Sequence, residues 1–291
     1  MDIRVLKYFL MAAREENITK AAKLLHLTQP TLSRQLIQLE QELGVKLFHR
    51  SKHHIALTED GMFLRRRAEE IVSLSEKTKE DLQHKKEHLA GKISVGSGEL
   101  RSSVFLADLI SSFQKENPLV QFELYSGNSD NIKERIERGL LDLGLLQEPV
   151  DISKYSFIRT PVHEQWGVLM PEDSKLAAKT VITPKDLADV PLILPQREIL
   201  QNELLNWLGP YGKELNITAT GNLLYNLAVL ARRRVGHVLT LNLDCAYDGL
   251  CFVPLSPPME SGTVLAWKKN QVFSPAAAGF IDHSKKYISN F

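Results

Sequence analysis

The chain has 291 residues, of which 43% are hydrophobic and 24% charged, and its formal net charge is +1. That length and balance suit two or three packed domains and exclude a disordered chain. No apolar run reaches the ~20 residues that span a bilayer, two cysteines cannot build a disulfide framework, and no four ligands stand at zinc spacing. The first residues, MDIRVLKYFLMAAREEN, hold a short apolar patch between Asp2 and Glu15-Glu16. They read as a helix rather than a signal peptide, so a cytoplasmic chain without metal or cofactor is expected.

Ile3, Leu6, Phe9, Leu10 and Ala13 recur at helical spacing and predict a first helix over residues 2–14. A second is predicted over 18–25, where Ala21, Ala22 and Leu25 form a small-residue face and Asn17 or Thr19 can cap the start. The turn His26-Leu27-Thr28 leads into a third helix. Thr28 is a good cap and Pro30 sits in the first turn, where its missing N–H costs nothing. Leu32, Leu36, Leu39 and Leu43 mark the buried stripe, Gly44 ends the helix, and Gln29, Thr31, Ser33, Arg34, Ile37 and Gln38 face outward. Two strand-like runs, 45–50 and 55–58, then flank the basic tip Ser51-Lys52-His53-His54, the pattern of a β-hairpin wing.

Thr58 caps a long helix expected to run to about Ala90. Its seam of Leu64, Ala68, Ile71, Ser75, Thr78, Leu82 and Leu89 is too narrow for a core of its own, which suggests pairing with a second copy. Arg65-Arg66-Arg67 reads as a solvated face. From Lys92 onward strands and helices alternate, which predicts parallel sheets covered by helices. The predicted strands are Ile93–Ser97, Gln121–Ser126, Asp142–Leu146, Phe157–Arg159, Trp166–Met170, Leu192–Leu194, Asn216–Thr220, His237–Leu241 and Thr263–Lys268, and the last helix is Ala276–Ser289.

Charge is distributed unevenly. Residues 1–58 hold nine Lys/Arg and five Asp/Glu, a balance of +4 against −3 for the remainder. A basic head on a slightly acidic body suits a polyanion-binding domain. A helix-turn-helix places the N-terminal residues of its second helix against base edges in the major groove. Gln29, Thr31, Ser33 and Arg34 are therefore the candidate DNA contacts, with Arg34 suited to guanine and Gln29 to adenine. In open α/β sheets ligands sit beyond the carboxyl ends of strands, near helix N-termini. Ser97, Gly98, Ser102, Ser103, Gly127, Asn128, Gln147, Gln196, Arg197, Thr220 and Asn222 are accordingly the candidate ligand contacts, and Arg197 favours an acidic ligand. Cys245 and Cys251 lack flanking basic residues that would stabilise a thiolate and read as packing residues. No nucleophile motif, phosphate loop or dinucleotide fingerprint appears, so an enzyme is not expected. A solute-binding protein would fit residues 91–291 alone.

Ala21-Ala22-Lys23-Leu24-Leu25, Thr28-Gln29-Pro30-Thr31-Leu32-Ser33, Ile37-Gln38-Leu39-Glu40, Leu43-Gly44-Val45-Lys46-Leu47-Phe48-His49-Arg50 and Leu57-Thr58-Glu59-Asp60-Gly61 together resemble the LysR-type transcriptional regulators. The match is dense over the first ninety residues and rests on layout beyond them. The resemblance implies a winged helix-turn-helix over 1–58, a linker and dimerisation helix over 59–90 and an effector domain over 91–291. That domain would be α/β, with two Rossmann-like lobes similar to type 2 periplasmic binding proteins: lobe 1 about 91–161 and 267–291, lobe 2 about 162–266. It also implies DNA contacts at Pro30 and at the wing, where Arg50 matches the family's wing arginine and Lys52 is a weaker candidate. The implied partners are a palindromic duplex operator, a small-molecule effector such as an organic acid or amino acid, a second copy or a tetramer, and RNA polymerase should the chain activate.

Overall fold

A computed structural model describes residues 1–50, 55–83 and 89–289. The chain divides into two compact units, Met1–Gln83 and His84–Phe291.

The first unit opens with helices α1 (Ile3–Glu15), α2 (Ile18–Leu24) and α3 (Gln29–Leu43). Side-chain oxygens cap each start: Asp2 accepts from the Arg4 amide, Asn17 from Lys20 and Thr28 from Thr31. In the turn between α2 and α3, His26 takes φ 55°, and the Leu27 amide donates to the Ala22 carbonyl at 2.9 Å. Gly44 closes α3 at φ 72°, a region that favours glycine. Leu6, Phe9, Ala12, Ala21, Ala22, Leu32, Leu36 and Leu39 are buried together. Leu43 does not complete this stripe: it is exposed, and Glu40 occupies the buried position instead.

Strands β1 (Phe48–Arg50) and β2 (Ile55–Leu57) pair antiparallel. The expected tip, Ser51 to His54, lies outside the described residues. Helix α4 (Glu59–Gln83) follows, with Thr58 accepting from the Gly61 amide. Gly61 is required by space, because a Cβ there would stand 2.1 Å from the Leu47 carbonyl oxygen. The expectation that α4 has no core of its own is only half met. Leu64 and Ala68 are buried in the first unit's core, whereas Ile71 and Leu74 are exposed. Nor does the helix reach Ala90, which already belongs to the next strand.

The second unit contains β3 (Ala90–Ser97), α5 (Ser103–Glu116), β4 (Leu119–Ser126), α6 (Ser129–Glu137), β5 (Leu143–Gln147) and β6 (Tyr155–Arg159). Next come β7 (Glu164–Pro171), β8 (Leu192–Pro195), α7 (Glu198–Leu208), β9 (Ile217–Gly221) and α8 (Leu224–Arg232). It ends with β10 (His237–Leu241), β11 (Leu250–Pro254), β12 (Glu260–Ser261), β13 (Thr263–Lys268) and α9 (Pro275–Ile288). Short 3-10 turns occupy Lys175–Ala178, Pro184–Leu187 and Gly209–Gly212.

The strands form two sheets. One has the order β4-β3-β5-β13-β6, the other β11-β7-β10-β8-β9 with β12 beside β7. Only part of each is parallel, contrary to the expectation of parallel sheets: β13 runs antiparallel to β5 and β6, and β7 antiparallel to β10 and β11. The reason is the path of the chain, which crosses from the first sheet to the second between β6 and β7 and returns between β12 and β13. Thr263 to Ala266 therefore belong to the first lobe, and the return falls before the boundary expected at 267. The two crossings lie side by side: the Thr160 amide donates to the Thr263 carbonyl at 3.0 Å, and β12 pairs with the start of β7.

Candidate nucleic-acid interface and candidate ligand cleft

The burial of Leu32, Leu36 and Leu39 turns the opposite side of α3 outward. Gln29, Pro30, Thr31, Arg34, Ile37 and Gln38 are exposed, and Ser33 is half-buried at the edge. The Thr31 hydroxyl is tied to that of Thr28 at 2.8 Å, which orients it beside the first turn. Arg34 pairs with no carboxylate among the described residues. Arg50 ends β1, but its side chain, like all of Lys52, lies outside the described residues.

Behind this face a buried carboxylate joins helix to wing. Glu40 accepts from the amides of Leu47 at 2.9 Å and Phe48 at 3.3 Å, and Lys46 lies 3.2 Å from its other oxygen. Sequence reading placed Glu40 in a motif without a role. Its signal is an acid four positions after Leu36 and next to Leu39, on the inward side of the helix.

In the second unit a cavity of about 90 Å³ lies where strand ends of the two sheets converge. Among the expected residues, Gly98, Gly127, Asn128, Gln147, Gln196, Arg197 and Asn222 line it. Four do not. Ser97 and Ser103 face a wider depression beside α5 and β4, their hydroxyls 3.3 Å apart. Thr220 is exposed on β9, where alternation along the strand sends its side chain elsewhere. Ser102 is fully buried and faces neither space. Most of the remaining lining is apolar and was not foreseen: Leu100, Trp166, Leu200, Leu224, Leu227 and Leu239.

Three anion-attracting features near this cavity are already engaged. The start of α5, expected to hold an anion, holds the chain's own Glu164, whose fully buried carboxylate accepts from the amides of Arg101 at 2.8 Å and Ser102 at 2.9 Å. Glu99 accepts from the Leu224 amide that opens α8. Arg197, 6% exposed, makes four hydrogen bonds: two to the Asp130 carboxylate, one to the Gln147 carbonyl and one to the Pro149 carbonyl. Arg197 comes from the second lobe and its partners from the first, so it is a latch across the cleft. The Asp130 carboxylate thus meets the charge from which an acidic ligand was expected. By contrast, the Gln147 side-chain Nε2 is buried without a hydrogen-bond partner among the described residues.

Two further expectations are settled by exposure. Cys245 is exposed rather than packed, and Cys251 is half-buried; both are free, and burial raises the Cys251 thiol above its ordinary pKa. Among the described residues no group of three metal-ligating side chains occurs. No helix of the described residues is long and apolar enough to cross a membrane.

A capped helix-turn-helix with a paired wing, joined in one chain to two α/β lobes around a cleft, defines the class: a winged helix-turn-helix protein with a periplasmic-binding-protein-like domain. Comparison with known proteins narrows it. Residues 3–62 match the model of the bacterial regulatory helix-turn-helix proteins of the lysR family, and residues 86–289 match that of the LysR substrate binding domain. The chain belongs to the LysR family. The HTH-type regulator YybE of Bacillus subtilis is 35% identical over 67% of this chain and 66% of its own length. BsdA of the same organism is 38% identical over 49% of each. The chain thus spans between about half and two thirds of the length of these relatives. YwbI, also of Bacillus subtilis, is 26% identical over 99% of this chain and 97% of its own. In fold the chain is similar to full-length CbnR in complex with its target DNA, with a TM-score of 0.77 at 21% identity over 98% of this chain and 99% of that one.

Proposed function

We propose that the chain is a DNA-binding transcriptional regulator whose α3 reads the major groove and whose cleft binds a small-molecule effector. The observation that carries the first part is the exposed, polar N-terminal half of α3, with Arg34 unpaired among the described residues and the buried face fixed by three leucines. Direct readout needs a rigid helix with free donors, and bidentate arginine to guanine is its commonest contact. Gln29, Thr31 and Ser33 are the remaining base-edge candidates. Pro30 lies where the backbone nears phosphate, and Arg50 and Lys52 belong to the wing's contacts. CbnR, similar in fold, is known on its target DNA.

In this reading residues 1–58 contact DNA, the helix from residue 59 joins two copies, and residues 91–291 sense the effector. Ile71 and Leu74, exposed on α4, supply the apolar seam for the second copy. A pair of reading heads matches a palindromic site, because one recognition helix reaches few bases. The chain acts in the cytoplasm in this reading, and RNA polymerase is a partner if it activates.

The test is fluorescence anisotropy with duplex DNA across a salt series. Specific binding is expected to weaken linearly in log–log form as salt rises. Arg34→Ala is expected to cost about 1–3 kcal/mol and to relax specificity at one base position. An unchanged footprint in Arg34→Ala would remove Arg34 from the reading face, and salt-independent binding would remove the DNA-binding reading altogether.

A further inference from the structure

We infer that the cleft accepts an uncharged, largely apolar molecule of about one ring that presents a hydrogen-bond acceptor to Gln147. The inference rests on the reading of the cleft as the effector site and names the ligand's chemistry.

Charge is the first argument. Three features would attract an anion: the Arg197 guanidinium and the first amides of α5 and α8. Each is met by a carboxylate of the chain itself, Asp130, Glu164 and Glu99 respectively. The first amides of α7, which opens at Arg197, have no side-chain cap, but its first turn carries a fourth acid, Glu198. A ligand carboxylate would enter beside Glu99 with no free cation among the described lining residues to meet it, and burying an unpaired charge is strongly unfavourable. An ammonium would find one carboxylate in the lining, Glu99, which already accepts the Leu224 amide, and would otherwise stand near the Arg197 guanidinium among leucines.

The second argument is the unpaired donor. Gln147 lines the cavity, is 8% exposed, and its Nε2 is buried without a partner among the described residues. Buried polar groups in folded proteins are normally hydrogen-bonded, and this donor, closed off from the cavity as it stands, meets an acceptor there once the lobes part. A carbonyl, ether or ester oxygen on the ligand supplies one.

The third argument is lining and size. Leu100, Trp166, Leu224, Leu227 and Leu239 form an apolar bed. The cavity of about 90 Å³ is below the roughly 150 Å³ that admits benzene, so a one-ring ligand requires the lobes to part slightly. Parting the lobes strains the Arg197 latch, which connects occupancy to the angle between them.

The test is calorimetric titration of the full-length chain with benzamide, methyl benzoate, benzoate and benzylammonium. The two neutral compounds are expected to bind at least tenfold more tightly than the two ions. Gln147→Leu is expected to weaken the neutral compounds about fivefold, the loss of one hydrogen bond of ordinary strength. Glu99→Gln is expected to narrow the gap for benzoate. Benzoate or benzylammonium binding as tightly as benzamide would overturn the charge argument while leaving the cleft as the site. Neutral binding unaltered by both Gln147→Leu and the cavity-filling Leu227→Trp would overturn the cleft reading itself. Failure of all four compounds to bind would overturn the proposed ligand class.

Discussion

Glu40 offers a demanding test of how α3 is held against the wing strands. Its side chain is 2% exposed and accepts the amides of Leu47 and Phe48, residues that are themselves 1% and 4% exposed. In Glu40→Ala both amides lose this acceptor in a buried place. Each orphaned donor costs about 1–3 kcal/mol, so the gross penalty is about 2–6 kcal/mol. Partial access of water to the vacated space brings the expectation to about 3 kcal/mol. Lys46 contributes little, because its side chain is 76% exposed and an exposed partner is worth at most about 1 kcal/mol. Glu40→Gln keeps an acceptor oxygen and should therefore cost only about 1 kcal/mol. Urea unfolding of the full chain tells the units apart. Trp166, Trp207 and Trp267 all lie in the second unit, so fluorescence follows that unit alone, and the part of the circular-dichroism change that fluorescence does not match belongs to the first. The reasoning fails if Glu40→Ala costs under about 1 kcal/mol, or if Gln proves as damaging as Ala.

Gly61→Ala should destabilise the first unit by at least about 2 kcal/mol, because its methyl would meet backbone rather than a movable side chain. Circular dichroism in urea reads the loss, and a neutral result would deny the close approach. Asp130→Asn should lower the second unit's stability by about 1–2 kcal/mol, seen by fluorescence, since Arg197 stays buried with carbonyls alone. No change would mean that the latch is slack. His237, its ring bonded to Ser174 at 2.9 Å, is held by burial below its ordinary pKa of 6.5. The unfolded chain then takes up the proton first, so stability present above about pH 6.5 declines as pH falls below it. His237→Gln should flatten that slope between pH 7 and 5, and an identical slope in the variant would exclude His237 as its source.

The legible parts of this molecule are the local ones. Caps at Asn17 and Thr28, the stop at Gly44 and the leucine spacing of α3 act within a few residues, so periodicity located the exposed face of α3. The cleft was legible as a set of loops but not as chemistry. Its decisive pairs join residues distant in the chain: Ser102 with Glu164, 62 positions apart, Arg197 with Asp130, 67 apart, and Leu224 with Glu99, 125 apart. A serine-rich helix start reads as an anion site until its carboxylate is found elsewhere in the same chain. Leu43 failed for a related reason: a leucine stripe does not reveal that an acid has taken the next inward position to serve a neighbouring strand. The antiparallel members of both sheets escaped because direction depends on where the chain crosses, which no local pattern encodes.

Those crossings have a mechanical consequence. A single strand between two bodies is a swivel, free to turn about several axes. Here two strands run together and are bonded at Thr160 and Thr263, with pairing continued by β6 against β13 on one side and β7 against β12 on the other. Such a double strap bends like the spine of a book and resists torsion. The lobes are left with essentially one coordinate, an opening angle, and whatever occupies the cleft sets a value of that angle.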